Sequence, residues 1–202
     1  LMHLENVRGD LLKADLVSFK IDSVFHDTWK RINKPFKRLN LDEILKGIEI
    51  FAKEFSGKLL TETMLIRNYN DDEKEWKGIA RFISNIRHYA AYLAIPTRPP
   101  AFEGVESVDE ATINAAYQVF SGYLPKVEYL TGYEGNAFSS TGNPREDILS
   151  ITSVHPMRED GVQALLEKSG SGFELIEQLV DEGLLSRNIF NGKTFYIRKF
   201  KK

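Results

Sequence analysis

Ser18, Lys20 and Asp22 stand at alternate positions of segment 16–22, with Val17, Phe19 and Ile21 between them. A period of two is that of a strand, so the three polar side chains share one face and the three apolar ones the other. A lysine ammonium is a compact cation that pairs with a carboxylate. A serine hydroxyl beside it can donate or accept, and an aspartate near the strand's end can accept. Together they describe a contact set for a ligand that carries a carboxylate. The plainer reading has three parts: an ion pair of Lys20 with Asp22 or Glu62, a small residue tolerated at Ser18, and an Asp22 that caps the following helix.

Three further places carry groups of the same kind. Glu62 lies mid-strand between Thr61 and Thr63, where a carboxylate is costly to bury unless it is paired or bound to a ligand. Lys20 is one partner for it. Thr97 and Arg98 follow a strand directly, and Pro99 and Pro100 stiffen that loop and keep Arg98 out of helical geometry. A guanidinium held so can clamp a carboxylate or phosphate of a substrate, although an exposed loop arginine would look the same. Glu134, beyond a fourth strand, is a substrate contact of this type or a solvated loop residue. His3, His26, His88 and His155 show no metal-ligand spacing and read as surface or structural. No residue is assigned a catalytic or a metal-binding role.

These groups need a scaffold. Strands are expected at 16–22, 58–66, 90–96 and 126–130, with amphipathic helices between them. One starts after Asn40 and carries Leu41, Ile44, Leu45, Ile48, Phe51, Ala52 and Phe55 on one face. Asn40 followed by Glu43, Asp72 by Glu75, and Ser107 by Glu110 are spaced as caps with their capping-box partners. Asn68 to Asp71 read as part of the cap of the helix after the second strand. Strands alternating with helices imply a parallel sheet, and four such units make about half of an eight-stranded barrel, which needs ~250 residues.

The pattern changes at 132–142, a polar, glycine-rich stretch. Asn143 and Pro144 open a helix as cap and first residue. A second helix is expected over 157–168 and a third over 173–183. Asn191-Gly192 between two β-rich runs is a hairpin signal. Three short helices and a hairpin are the order of a winged helix. The expected domains are 1–142 and 143–202, and the fold class is α/β, a partial barrel with a small winged-helix-like α+β tail.

The composition fits an ordinary globular chain, 42% hydrophobic and 28% charged, with a net charge of −2 that gives no general attraction to nucleic acid or anionic membrane. No apolar run approaches the roughly 20 residues of a membrane span, and the first ten residues lack a secretory pattern. With no cysteine, disulfides and thiolate chemistry are excluded. The expected location is cytoplasmic.

Several segments in order resemble the later strands of radical S-adenosylmethionine (radical SAM) enzymes: Ser18-Phe19-Lys20-Ile21-Asp22, residues 29–35, residues 61–71, residues 92–100 and Gly132-Tyr133-Glu134-Gly135. The nearest likeness is to the iron–sulfur oxidoreductase group related to the wyosine-synthesis enzymes of tRNA modification, whose tails contain a segment like residues 154–159. The resemblance implies S-adenosylmethionine contacts by Ser18, Lys20 and Asp22, Met64 packing on the adenine, and substrate contacts by Glu62, Thr97, Arg98 and Glu134. It also implies a [4Fe–4S] cluster in the parent protein. The family's three-cysteine loop and its early glycine-rich segment are absent, so the chain reads as the C-terminal part of such an enzyme, inactive alone, or as a degenerate relative. Its partners would then be the missing N-terminal half of the barrel and a tRNA or protein substrate. A homodimer through open sheet edges is a further expectation.

An alternative is an RNA- or protein-interaction module built on a degenerate barrel. Duplex DNA is not an expected partner. Residues 143–202 hold nine basic and nine acidic residues, and the third helix there carries Glu174, Glu177, Asp181 and Glu182 without a cation.

Overall fold

The computed structural model describes residues 1–100, 102, 104–130 and 140–199. They fall into two compact units, one holding Leu1–Pro96 with the segment from Gly104, the other lying mainly C-terminal to it. The first unit runs α1 (Glu5–Leu11), β1 (Leu16–Lys20), α2 (His26–Asn33), α3 (Leu41–Glu54), β2 (Lys58–Met64), α4 (Glu73–Ser84), β3 (Ala90–Ala94), α5 (Glu110–Ser121) and β4 (Val127–Leu130). The four strands form one sheet in sequential order, every pair parallel. Each strand thus returns through helix, as βα units require.

One face of the sheet is covered. Val17 and Phe19 of β1, Leu59 of β2, Leu93 of β3 and Val127 of β4 are buried with Phe51 of α3, Ile79 and Ile83 of α4 and Phe120 of α5. Burying side chains of this size stabilises by about 1.5–3 kcal/mol each. The Phe19 and Phe51 rings meet edge to face at 5.4 Å, and Phe51 stacks on Phe55 at 4.8 Å. At Gly47 a Cβ would stand 2.1 Å from the Met2 carbonyl oxygen, so the N-terminal segment can lie on α3 only over a glycine.

Asn40 caps α3 through the amides of Asp42 and Glu43, and Asp72 caps α4 through that of Glu75. The cap of α5 is Asp109, which accepts from the Thr112 amide at 2.7 Å, and not the expected Ser107. Ser107 instead donates to the Pro96 carbonyl and bridges to Ile66, because a β-like contact claims its backbone first. Asn70 does not cap α4 either. Its amide is buried and ties Ile66, Met64 and Asp22 together through their main chains.

The second unit contains α6 (Pro144–Val154), β5 (Met157–Arg158), α7 (Glu159–Ser169), α8 (Glu174–Asp181), β6 (Leu185–Phe190) and β7 (Lys193–Arg198). Asn143 caps α6 as expected, with Pro144 in its first turn. Met157 and Arg158, expected to be helical, pair with Tyr196 and Phe195 in an antiparallel sheet of order β5-β7-β6. Asn191 and Gly192 turn the hairpin with φ of 48° and 70°, the left-handed pair its two-residue loop demands. Ile148, Leu165, Ile176, Leu179 and Tyr196 form this unit's own core. Among the described residues no helix is long and apolar enough to cross a membrane.

Candidate functional site

Lys20, Glu62, Tyr92 and Glu128 are register partners in one row that crosses all four strands. Register partners of parallel strands project to the same side. That side is opposite the helix-packed core, and its residues alternate with buried Val17, Phe19, Leu59, Thr61, Leu93 and Val127. Ser18 precedes the row on β1. Met64, Ala94 and Leu130 form the next row toward the strands' C-terminal ends, an apolar strip beside the polar one. Ser18, Lys20, Glu62 and Met64 therefore share a face.

The polar groups are paired in a definite way. Ser18 Oγ donates to Glu62 Oε1 at 2.7 Å. Lys20 Nζ lies 3.1 Å from Asp22 Oδ1, with the lysine side chain 46% exposed and the aspartate's fully enclosed. Of the two partners expected for Lys20, Asp22 forms the ion pair and Glu62 does not, since Glu62 takes the serine hydroxyl. Asp22 caps no helix; the N-cap of α2 is Phe25. Its Oδ1 also accepts from the Met64 amide at 2.9 Å, and its Oδ2 faces Asn33 Nδ2 at 3.3 Å. Its own carbonyl accepts from Asn70 Nδ2 at 2.8 Å. A buried carboxylate with this many donors is fixed, and it fixes the ammonium that faces it.

At the other end of the row, burial, and then a hydrogen bond with Glu128, hold the Tyr92 phenol above its ordinary range. Glu128 is held below the usual carboxylate range, first by Lys126, whose ammonium is 3.1 Å away, and then by Tyr92. The row thus offers one half-exposed cation, hydroxyls and two carboxylates, flanked by an apolar strip. Such a surface can bind a ligand with a carboxylate, hydroxyls and a flat apolar part. Among the described residues no group of His, Asp or Glu is arranged to hold a metal ion.

Thr97 and Arg98 are half-buried and group with the second unit, so they are described apart from the row. Glu134, with Tyr133, lies outside the described residues. Tyr92 and Glu128 were missed as site residues. Ala90-Ala91-Tyr92-Leu93-Ala94 has no polar alternation, so it shows no face by itself. Only the register with Glu62 assigns Tyr92 to the row. Lys126-Val127-Glu128 does alternate, and that signal could have marked Glu128.

No protein-family model matches the chain. It is 39% identical over 199 residues to the UPF0026 protein MJ1312 of Methanocaldococcus jannaschii, an alignment that covers 98% of this chain and 62% of that protein. A protein named GTPase Obg from Brachyspira hyodysenteriae is 25% identical over 198 residues, 97% of this chain and 29% of its own length. The chain thus spans less than two thirds of these curated relatives. Among solved structures, a radical SAM methyltransferase from Sphaerobacter thermophilus aligns with a TM-score of 0.56 at 15% identity, covering 65% of this chain and 39% of its own. A domain of pyruvate-formate lyase-activating enzyme from Bacteroides vulgatus aligns with a TM-score of 0.52 at 20% identity, covering 64% and 76%. Over about two thirds of its length the chain has a radical SAM-like fold.

Proposed function

We propose that this chain is the C-terminal portion of a radical SAM enzyme of the wyosine-related oxidoreductase group, and that its polar row contacts S-adenosylmethionine and the substrate. In this reading residues 1–142 belong to the barrel and residues 143–202 form a winged-helix-like tail. The observation that carries it is the single row of Lys20, Glu62, Tyr92 and Glu128 on the face that bears no helix core.

The donor set fits S-adenosylmethionine. The Lys20 ammonium, held by Asp22 yet half exposed, would take the carboxylate. Ser18 and Glu62, already hydrogen-bonded to each other, would exchange that bond for ligand hydroxyls. Met64 and its apolar neighbours would receive the adenine. In the longer parent enzyme the cofactor would supply hydrogen-abstracting chemistry once an electron from that enzyme's cluster had cleaved it; this chain's own residues would bind and orient it. A [4Fe–4S] cluster does not fit this chain, because such clusters are held by cysteine thiolates and the sequence has none. We therefore assign this portion binding and no reaction of its own.

Coverage of 62% of the M. jannaschii relative supports a longer parent. Strands β1 and β4 each pair on one side among the described residues, and open edges are where further barrel strands would join. Without them, the same edges would make the isolated chain a homodimer. The test of the reading is equilibrium dialysis of the full chain against S-adenosylmethionine. Saturable binding that weakens at least tenfold in Lys20→Ala supports it. No binding, or binding indifferent to Lys20, removes it.

A further inference from the structure

The opposite end of the same sheet carries a second concentration of charge that the polar row does not use. A cavity of about 490 Å³ opens there, lined by Asp15, Lys58, Arg87, His88 and Tyr89 among others. Its size is within the ~300–1,000 Å³ of small-molecule sites. Lys58 sits four residues before Glu62 on β2, so the two are about 13 Å apart along the strand.

Lys58 and Arg87 line this cavity, and Lys126, outside its lining, reaches the same Tyr89 ring. Lys58 Nζ lies 5.2 Å from the centre of the Tyr89 ring, and Lys126 Nζ lies 4.5 Å from the same centre. Arg87 uses Nη1 on the Phe55 carbonyl at 3.2 Å, which anchors the guanidinium and leaves its remaining donors unpaired among the described residues. Lys58 has no carboxylate partner among the described residues. Two carboxylates oppose them: Asp15 in the cavity wall, and Glu128, which pairs with Lys126 at 3.1 Å. Two ammonium groups over one aromatic ring repel each other; Lys58, like Arg87, is exposed and not required by core packing, while Lys126 is half-buried and held by Glu128. An anion between them would relieve that repulsion.

We propose that this end of the sheet binds a nucleoside phosphate: its phosphate between Lys58, Arg87 and Lys126, and its base on the Tyr89 ring. Three cations match the charge of a phosphate better than that of a single carboxylate, and the half-exposed Tyr89 ring offers a stacking face once the phosphate draws an ammonium off it. Lys126 would then be shared between the phosphate and Glu128, the register partner of Tyr92 in the polar row.

The test is isothermal titration of the full chain with ADP and, separately, with inorganic pyrophosphate. ADP binding that weakens about tenfold or more in Lys58→Gln and in Arg87→Gln is expected from the loss of one charge-assisted hydrogen bond each. Tyr89→Leu should weaken ADP more than pyrophosphate, since it removes the stacking face as well as the ring that Lys58 and Lys126 lie over. Absence of ADP binding at millimolar concentration overturns the proposal, as does binding unaffected by Lys58→Gln. Binding lost in Lys20→Ala and kept in Lys58→Gln also overturns it, because the nucleotide would then occupy the polar row; the S-adenosylmethionine reading would survive that result. The three substitutions are at exposed or half-exposed positions, and unchanged thermal midpoints verify that they fold.

Discussion

The backbone amide of Met64 on β2 donates to Asp22 Oδ1 at 2.9 Å, the same oxygen that faces the Lys20 ammonium at 3.1 Å. The aspartate that follows β1 is therefore held by the neighbouring strand, and the lysine is aimed by an anchored group. Because the carboxylate is enclosed and the ammonium is not, the pair presents a positive end to the open face. In the proposed reading Asp22 would position Lys20 for the ligand.

Asp22→Ala should be much more harmful than Asp22→Asn. Alanine leaves the Met64 amide without its acceptor, at about 1–3 kcal/mol for a group shut off from water, while the exposed Asn33 side chain can turn to solvent. Asparagine keeps an oxygen for Met64 and loses chiefly the charge opposite Lys20. Urea unfolding of both variants measures the difference; equal losses would mean that the amide contact contributes nothing.

Asn70 is the second clamp. Its side chain accepts from Ile66 N at 2.8 Å and donates to Asp22 O at 2.8 Å and Met64 O at 2.9 Å. Asn70→Ala strands three main-chain groups in a buried place and should cost about 3 kcal/mol or more. Asn70→Asp should also destabilise, since a carboxylate cannot donate to either carbonyl. A loss below 1 kcal/mol for both would contradict this role.

How far these relations were legible beforehand depends on their range. The alternation of 16–22 marked the face of Ser18 and Lys20, but β1 ends at Lys20 and Asp22 beyond it is enclosed; the caps Asn40, Asp72 and Asn143 were readable because capping is local. The turn at Asn191-Gly192 was readable for the same reason. Asn70 was misread as a cap because its three partners lie on other strands or at their ends. Ser107 and Asp109 both had cap chemistry, and a bridge to Ile66 decided between them. Met157 and Arg158 have no helix breaker, and only the pairing offered by β7 makes them a strand. Helix α2 was not anticipated, since Trp29 is its one buried residue and gives no stripe.

In the second unit, Asp147 accepts from Thr141 Oγ1 at 2.7 Å, Thr141 N at 2.9 Å and Ser140 Oγ at 2.9 Å. These bonds, the Thr141 hydroxyl first, hold its carboxyl below the ordinary 3.8 against the opposing effect of burial. As pH falls, the unfolded chain takes up this proton before the folded one does. The stabilisation is therefore complete above about pH 4 and is lost as pH drops through the lower folded value. Asp147→Asn should flatten that part of the acid dependence. Urea midpoints between pH 5 and pH 2 measure it, and an unchanged acid profile would contradict the assignment.

The central claim is that Lys20 faces the carboxylate of a ligand lying on the open side of the sheet. The most direct measurement is a cycle of dissociation constants, S-adenosylmethionine against its decarboxylated analogue, for the native chain and for Lys20→Ala. The account predicts that the native chain prefers the carboxylate form by about tenfold or more, and that Lys20→Ala binds both forms equally weakly. A preference that survives in Lys20→Ala, or no preference in the native chain, would contradict it.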